Sequence, residues 1–318
     1  MAQAQPRDRV DAPSRHPQLA APAPVQAAEP PWIALWRRFS ARRLSVAALA
    51  VLCTLMLLAL IAPLIAPQDP YDLGVVSILD AEQPPMSRSA DSSLLFVLGT
   101  DGAGRDLLSA ILYGLRISIV VGLFSAAAAV VIGVSLGLTA AHFGGRVDAV
   151  IMRVVDLQLS FPTILVALML LASLGQGVDK TLLALIIVQW AYYARNVRAS
   201  AMVERQKEYV EAAMGQGLPA LRIMFRHVLP NCMAPLLVTA TLQTAHAITM
   251  EATMSFLGIG LPQTQPSLGL LIANGFEHAL SSQTWISIYP GIALVTLVAS
   301  INLVGDRLRD VLNPKTEA

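Results

Sequence analysis

Glu251 is set deep in an apolar run, Ile248 to Gly260 (ITMEATMSFLGIG). A carboxylate at such a depth is costly unless it is protonated, paired or wetted. It therefore faces a translocation path or gate, or it is a hydrogen-bonded structural group; His246, five residues back, is poorly placed to pair with it on a helix. Other chemistry is missing. The closest approach to a phosphate loop is GQGVDKT at 175–181, with Asp179 where the motif needs glycine. His142, His227, His246 and His278 are not spaced as ligands of one metal, and neither a His-Glu-x-x-His helix nor a Gly-x-Ser-x-Gly elbow occurs. We read a chain that is not an enzyme, holds no metal and carries no cofactor of its own.

The elements around Glu251 are those of a membrane protein. The chain of 318 residues is 55% apolar and 14% charged, with a mean hydropathy of +0.60. Soluble domains run at about 45–50% and 25%. A net charge of +1 with scattered basic residues gives no sign of nucleic-acid binding. Cys53 and Cys232 are the two cysteines, and their settings argue against a disulfide. Residues 1–31, rich in Ala, Pro and Gln, read as a disordered tail. Leu44 to Ala66 is nearly unbroken in its apolarity, and at ~1.5 Å per residue it reaches across a hydrocarbon core.

Further runs at about 115–141, 150–174, 181–199, 234–258 and 285–305 bring the expected count to six spans in an all-α fold. The expected layout is a first span within 32–66, an extracytoplasmic segment at 67–114, a core at 115–305 and a tail at 306–318. Arg37, Arg38, Arg42 and Arg43 precede the first span, while Arg307, Arg309 and Lys315 follow the last. The positive-inside bias puts both termini in the cytoplasm. Residues 67–114 are acidic, and 259–284 contain no Lys or Arg, as expected on the opposite face. Asn302, Asp306 and Arg309 share a helix face and read as an interfacial cap on the last span.

One stretch departs from this apolar plan. Residues 208–231, EYVEAAMGQGLPALRIMFRHVLPN, are too amphipathic to span and too patterned for a slack loop. They read as two short helices hinged at residues 215–219 and closed by Pro230. Glu208 and Glu211 suit the first helix's N-terminal dipole, and Arg222 and Arg226 share a face of the second. The arrangement is that of a docking surface.

Glu211-Ala212-Ala213, Gly217 and Leu229-Pro230 resemble the EAA loop of ABC-importer permeases (here within 204–233). Arg226-His227-Val228-Leu229-Pro230-Asn231 resembles the form found in the dipeptide, oligopeptide and nickel branch. APLIAPQDPYDL, residues 98–122, 144–163, 251–262 and NLVGDRLRDVLNP are similar to the C-type subunits of that branch, covering about 32–314. Ala110, Gly215 and Asn313 are small departures from the pattern.

The resemblance implies a type I ABC importer permease fold in a bacterial cytoplasmic (inner) membrane. It implies a second homologous permease subunit, two P-loop ATPase subunits carrying the ATP and Mg, and an extracytoplasmic solute-binding protein. It assigns Glu208, Glu211, Ala212, Ala213, Gly217, Arg222, Arg226, His227 and Pro230 to ATPase coupling; the two arginines face acidic groups of the ATPase or anionic lipid. Asp101, Gly104, Arg105 and Asp106 are its best-matched positions for contact with the binding protein, the alternative being that the outer segments brace a gate. Peptides are the first substrate reading, with nickel chelates, glutathione or opine-like solutes the alternative. An ion-coupled secondary transporter has only Glu251 in its favour and shows no internal repeat.

Overall fold

The computed structural model describes residues 30–312 except 73, 92 and 278–282. The expected tail up to residue 29, His278, Asn313-Pro314 and Lys315 lie outside the described residues. A backbone in lipid must bond to itself, so the apolar runs become helices. They are α1 (Pro31–Ser40), α2 (Arg43–Ile65), α3 (Leu107–Phe143), α4 (Gly145–Leu159), α5 (Thr163–Leu174) and α6 (Val178–Arg205). After the hinge region come α7 (Glu208–Gly215), the single turn α8 (Ala220–Arg222), α9 (Leu229–Phe256), α10 (Leu268–Glu277) and α11 (Trp285–Leu312). The 67–106 segment adds a two-stranded antiparallel ribbon of β1 (Ser87–Arg88) and β2 (Leu95–Phe96), with Ser87 opposite Phe96.

The bundle is built on α3 and α6, which run parallel. A Cβ on Gly133 would fall 2.5 Å from Tyr193 Cβ, and one on Gly137 would fall 2.6 Å from the Ala194 carbonyl oxygen. Only glycine permits that approach of two helices. At the end of the pair, Arg205 Nη1 donates to the Ala141 carbonyl at 2.9 Å, answering an otherwise orphaned helix-end acceptor. Val134, Leu138, Tyr193, Val197 and Ala201 make this seam a core that continues into α7 and the start of α9. A second core joins α2, α3, α9, α10 and α11 through Ala59, Leu107, Ile248, Leu271 and Leu297.

The expected count of six separate spans is not reproduced by length and apolarity. Four helical stretches among the described residues qualify: Arg43–Ile65, Leu107–Phe143, Ala220–Phe256 and Trp285–Leu312. The expected third span is a pair, α4 and α5, bent by 86°. Pro162 disfavours helical geometry at Phe161 and has no N–H to donate, so the helix stops and restarts there. Arg198 donates two bonds to the Asp148 carboxylate, and Arg195 pairs with Asp156 at 2.5 Å, tying α4 to α6. The helix α6 is 28 residues long but includes Asp179, Lys180, Arg195, Arg198, Glu204 and Arg205, which keep it from qualifying on composition. The second span also begins earlier than residue 115, at Leu107, where Asp106 caps the helix.

The last helix, α11, is fastened to its neighbours through residues other than Asn302, Asp306 and Arg309. Arg307 is buried and donates to the carbonyls of Arg38 and Phe39, while Asp310 pairs with Arg42 at 3.2 Å. Asp306 is exposed.

Candidate functional site

The segment 204–233 forms a compact protrusion at the end of the bundle where α3 and α6 finish. Its first helix, α7, presents Glu208 and Glu211 in the opening turn, where unbonded N–H groups favour negative charge. Val210 and Ala213 turn inward, while Glu208, Glu211 and Ala212 stay exposed. The helix ends in a two-bond C-terminal motif. Gly217 N donates to the Met214 carbonyl at 3.0 Å and Leu218 N donates to that of Ala213 at 3.3 Å. Gly217 sits at φ +71, a left-handed conformation that side chains other than glycine and asparagine rarely adopt. Leu218 then packs on the core, which fixes the exit direction of the chain.

The second half differs from the expected short helix closed by Pro230. From Ala220 the chain is helical without interruption to Phe256, passing through a π-helical stretch at Ile223–Val228. Pro230 therefore lies inside a continuous helical stretch, directly after the π turn, and its missing N–H costs a backbone bond there. The wider π turn just before it relaxes the crowding that a proline brings to the preceding carbonyls. The protrusion is therefore the root of a membrane helix. Arg222 and Arg226 are exposed one turn apart, with Leu221 at 69% and Phe225 at 45% exposure beside them. Ile223, Met224 and Val228 face the core.

A polar knot missed by the sequence reading locks the protrusion to the bundle. Tyr209 Oη donates to Glu204 Oε1 at 2.5 Å, and Asn231 Nδ2 donates to Tyr209 Oη at 2.9 Å and to the His227 carbonyl at 2.8 Å. Lys207 holds the other Glu204 oxygen at 2.8 Å. Burial and the Glu204 carboxylate push the Tyr209 phenol up to about 12, so it remains a donor. The only signal in the sequence was a Tyr next to Glu208 and an Asn after Pro230, neither distinctive alone. Half-buried His227 takes part through its backbone. Tyr209→Phe removes the link, and we expect a loss of about 1–2 kcal/mol. It should show as faster proteolysis at residues 206–219 in the purified chain; unchanged cleavage would contradict the lock.

At the other end of the bundle, the four residues expected to touch a binding protein, or else to brace the outer gate, are buried. Arg105 Nε pairs with Asp101 Oδ2 at 2.8 Å, and Arg105 Nη1 donates to the Gln263 carbonyl at 3.2 Å. Asp101 Oδ1 accepts from the backbone N–H groups of Ala103 and Arg105, both at 2.9 Å. Gly104 turns at φ +83 against the Ser77 carbonyl. Asp106 accepts from Ser109 N and Oγ at 2.8 and 2.6 Å, and its own N–H donates to Gln68 Oε1. Burial raises the Asp106 carboxyl above the usual range. These side chains are consumed in bracing the 67–106 segment against the 258–267 turn.

Glu251 is fully buried. Its carboxylate accepts from Ser118 Oγ on α3 at 2.8 Å and Ser255 Oγ on α9 at 2.9 Å, with Ser267 ahead of α10 also interacting. It does not open onto a path in this conformation. It sits where α3, α9 and α10 converge, satisfied by hydroxyls. A cavity of about 550 Å³ lies elsewhere, between α6, α9 and α11, bordered by Asn196, Pro235, Thr239 and Arg309.

A helical bundle with a structured protrusion at one end and a braced cap at the other is the architecture of a type I ABC importer permease. A chain of the inward-facing MetNI methionine ABC transporter shares this fold, with a TM-score of 0.53 at 18% identity, over 65% of this chain and 98% of that one. Residues 132–318 match the family described as binding-protein-dependent transport system inner membrane component, and residues 30–85 match the N-terminal TM domain of oligopeptide transport permease C. The chain belongs to this family of importer permeases. It is similar to the di/tripeptide transport system permease protein DppC of Pseudomonas aeruginosa, 36% identical over 96% of this chain and 97% of that protein. It is also similar to the dipeptide transport system permease protein DppC of Escherichia coli, 37% identical over 93% and 96%.

Proposed function

We propose that this permease imports short peptides as one half of a heterodimer with a second homologous subunit. Both termini lie in the cytoplasm, and two P-loop ATPase subunits holding ATP and Mg drive it through the 204–233 protrusion. The observation that carries the reading is the exposed face of that protrusion. Glu208, Glu211 and Ala212 are followed by Leu221, Arg222, Phe225 and Arg226, all exposed on a segment whose other side is anchored in the core. A partner with an apolar pocket flanked by charge fits it. Since α8 to α9 is one continuous helical stretch, a push on this face is delivered to a membrane-spanning rod. Packed helices respond to such a push by moving between discrete arrangements.

The peptide reading rests on the relatives named above, which are described as dipeptide and di/tripeptide permeases. A solute-binding protein would then deliver the peptide to the exposed tips of the cap formed by 67–106 and 258–267. ATP-dependent uptake of a labelled dipeptide into vesicles containing all subunits, absent when this chain is alone, tests the function. Glu211→Arg inverts charge on the docking face without touching the core. We expect the mutant complex to assemble and keep basal ATP hydrolysis but to lose most of the stimulation by loaded binding protein. Full stimulation in that mutant would remove the coupling role from this face.

A further inference from the structure

The short helix α1 is left unexplained by coupling, gating or bracing. Its apolar side chains Trp32, Leu35, Trp36 and Phe39 recur at i, i+3, i+4 and i+7, one face of a helix. Only Phe39, the last of the four, docks on the bundle, at 9% exposure. Trp32 is 70% exposed, Trp36 55% and Leu35 38%, so the stripe runs off the protein. Residues 30–44 carry Arg37, Arg38, Arg42 and Arg43 and no acid. Two residues separate α1 from α2, a 23-residue apolar helix, so α1 lies at the level where that span leaves the hydrocarbon.

We propose that α1 is an interfacial helix that binds anionic phospholipid, its tryptophans in the acyl boundary and its arginines against the headgroups. Charge complementarity selects this occupant. Indole rings with exposed arginines one turn on are the composition of a membrane-surface helix. The root of α1 is also fixed. Buried Arg307 donates to the carbonyls of Arg38 and Phe39 in the last turn of α1, and Asp310 holds Arg42. These bonds tether the C-terminal end of α1 to α11. The inference rests on the membrane placement of the family and not on the transport reading.

The test uses the full-length chain in nanodiscs of phosphatidylcholine with added phosphatidylglycerol, with or without bromine on the acyl chains near the headgroup. Subtracting the emission of W32F/W36F from that of the native chain isolates the two indoles and leaves Trp190 and Trp285 in place. We expect brominated lipid to quench the difference signal. Native mass spectrometry should find phosphatidylglycerol enriched on the native chain, with enrichment lower on the order of tenfold in R38Q/R43Q. That variant spares Arg42 and its pairing with Asp310. A difference signal equal in the two lipids means that protein or water covers the stripe, and overturns the proposal. Unchanged enrichment in R38Q/R43Q overturns it as well. Neither readout depends on transport, so peptide uptake can fail or succeed without moving it.

Discussion

We expect Gly217→Val to abolish coupled uptake while leaving the chain in its membrane, if the 204–233 protrusion couples as proposed. The position is at φ +71, and nothing lies within 4 Å of where a Cβ would be placed. The penalty is therefore conformational and not a collision. A residue with a Cβ loses about 1–2 kcal/mol in this region, and a β-branched one more. Two hydrogen bonds, from Gly217 N and Leu218 N, depend on the turn, and so does the seat of Leu218 on the core. The variant should open the end of α7 and misdirect the exposed Glu211-Ala212 face, and a shift of about 1.4 kcal/mol is already tenfold in population. Gly217→Asn, which tolerates the same geometry, should retain most of the activity. Uptake in vesicles is the readout, with membrane content of the chain measured alongside. A valine variant transporting within twofold of native would mean that the left-handed turn is dispensable.

Glu251 carries the second large effect. In Glu251→Ala the Ser118 and Ser255 hydroxyls lose their acceptor at the junction of α3, α9 and α10, and a void replaces the side chain. An unanswered buried polar group costs about 1–3 kcal/mol, before the void is counted. We expect a fall in the thermal midpoint of the detergent-solubilised chain large enough to reduce its yield. Glu251→Gln keeps the shape and one carbonyl acceptor, and serine hydroxyls can accept from its amide. It should stay close to native both in midpoint and in transport. If the glutamine variant instead fails like the alanine one, the charge itself matters and bracing is an insufficient account. If the alanine variant is as stable as native, the hydroxyl cage contributes nothing.

The body of the fold and the 204–233 protrusion were open to a reader of the sequence because their signals are local. A polar, patterned stretch between apolar runs marks 208–231, and a glycine after Glu211-Ala212-Ala213 marks its turn. Pro230 misled for a physical reason: a proline ends a regular α-helix, yet a π turn over 223–228 lets one continuous helical stretch pass through. The third expected span hid an 86° bend whose cause, Pro162, was visible but whose size was not. The apolar run at 181–199 read as a span, yet α6 as a whole carries charges that are paired across to α4 by Arg198 and Asp148 and by Arg195 and Asp156. The Tyr209 knot and the Arg105 brace join residues far apart in the chain, such as Arg105 to Gln263, and no local pattern announces them. The family resemblance offered Asp101, Gly104, Arg105 and Asp106 either as binding-protein contacts or as braces, and only the fold shows that the partners of the three charged residues lie inside.

That brace leaves the cap in two materials. The frame of Asp101, Arg105, Asp106 and Gln68 is buried and tied to the Gln263 carbonyl and to Ser109, while the side chains of Ile78 at 85% and Leu79 at 79% exposure stand outside it. A graft from a relative that serves another binding protein should seat in the same socket, altering which messenger is received while the machinery beneath remains the same.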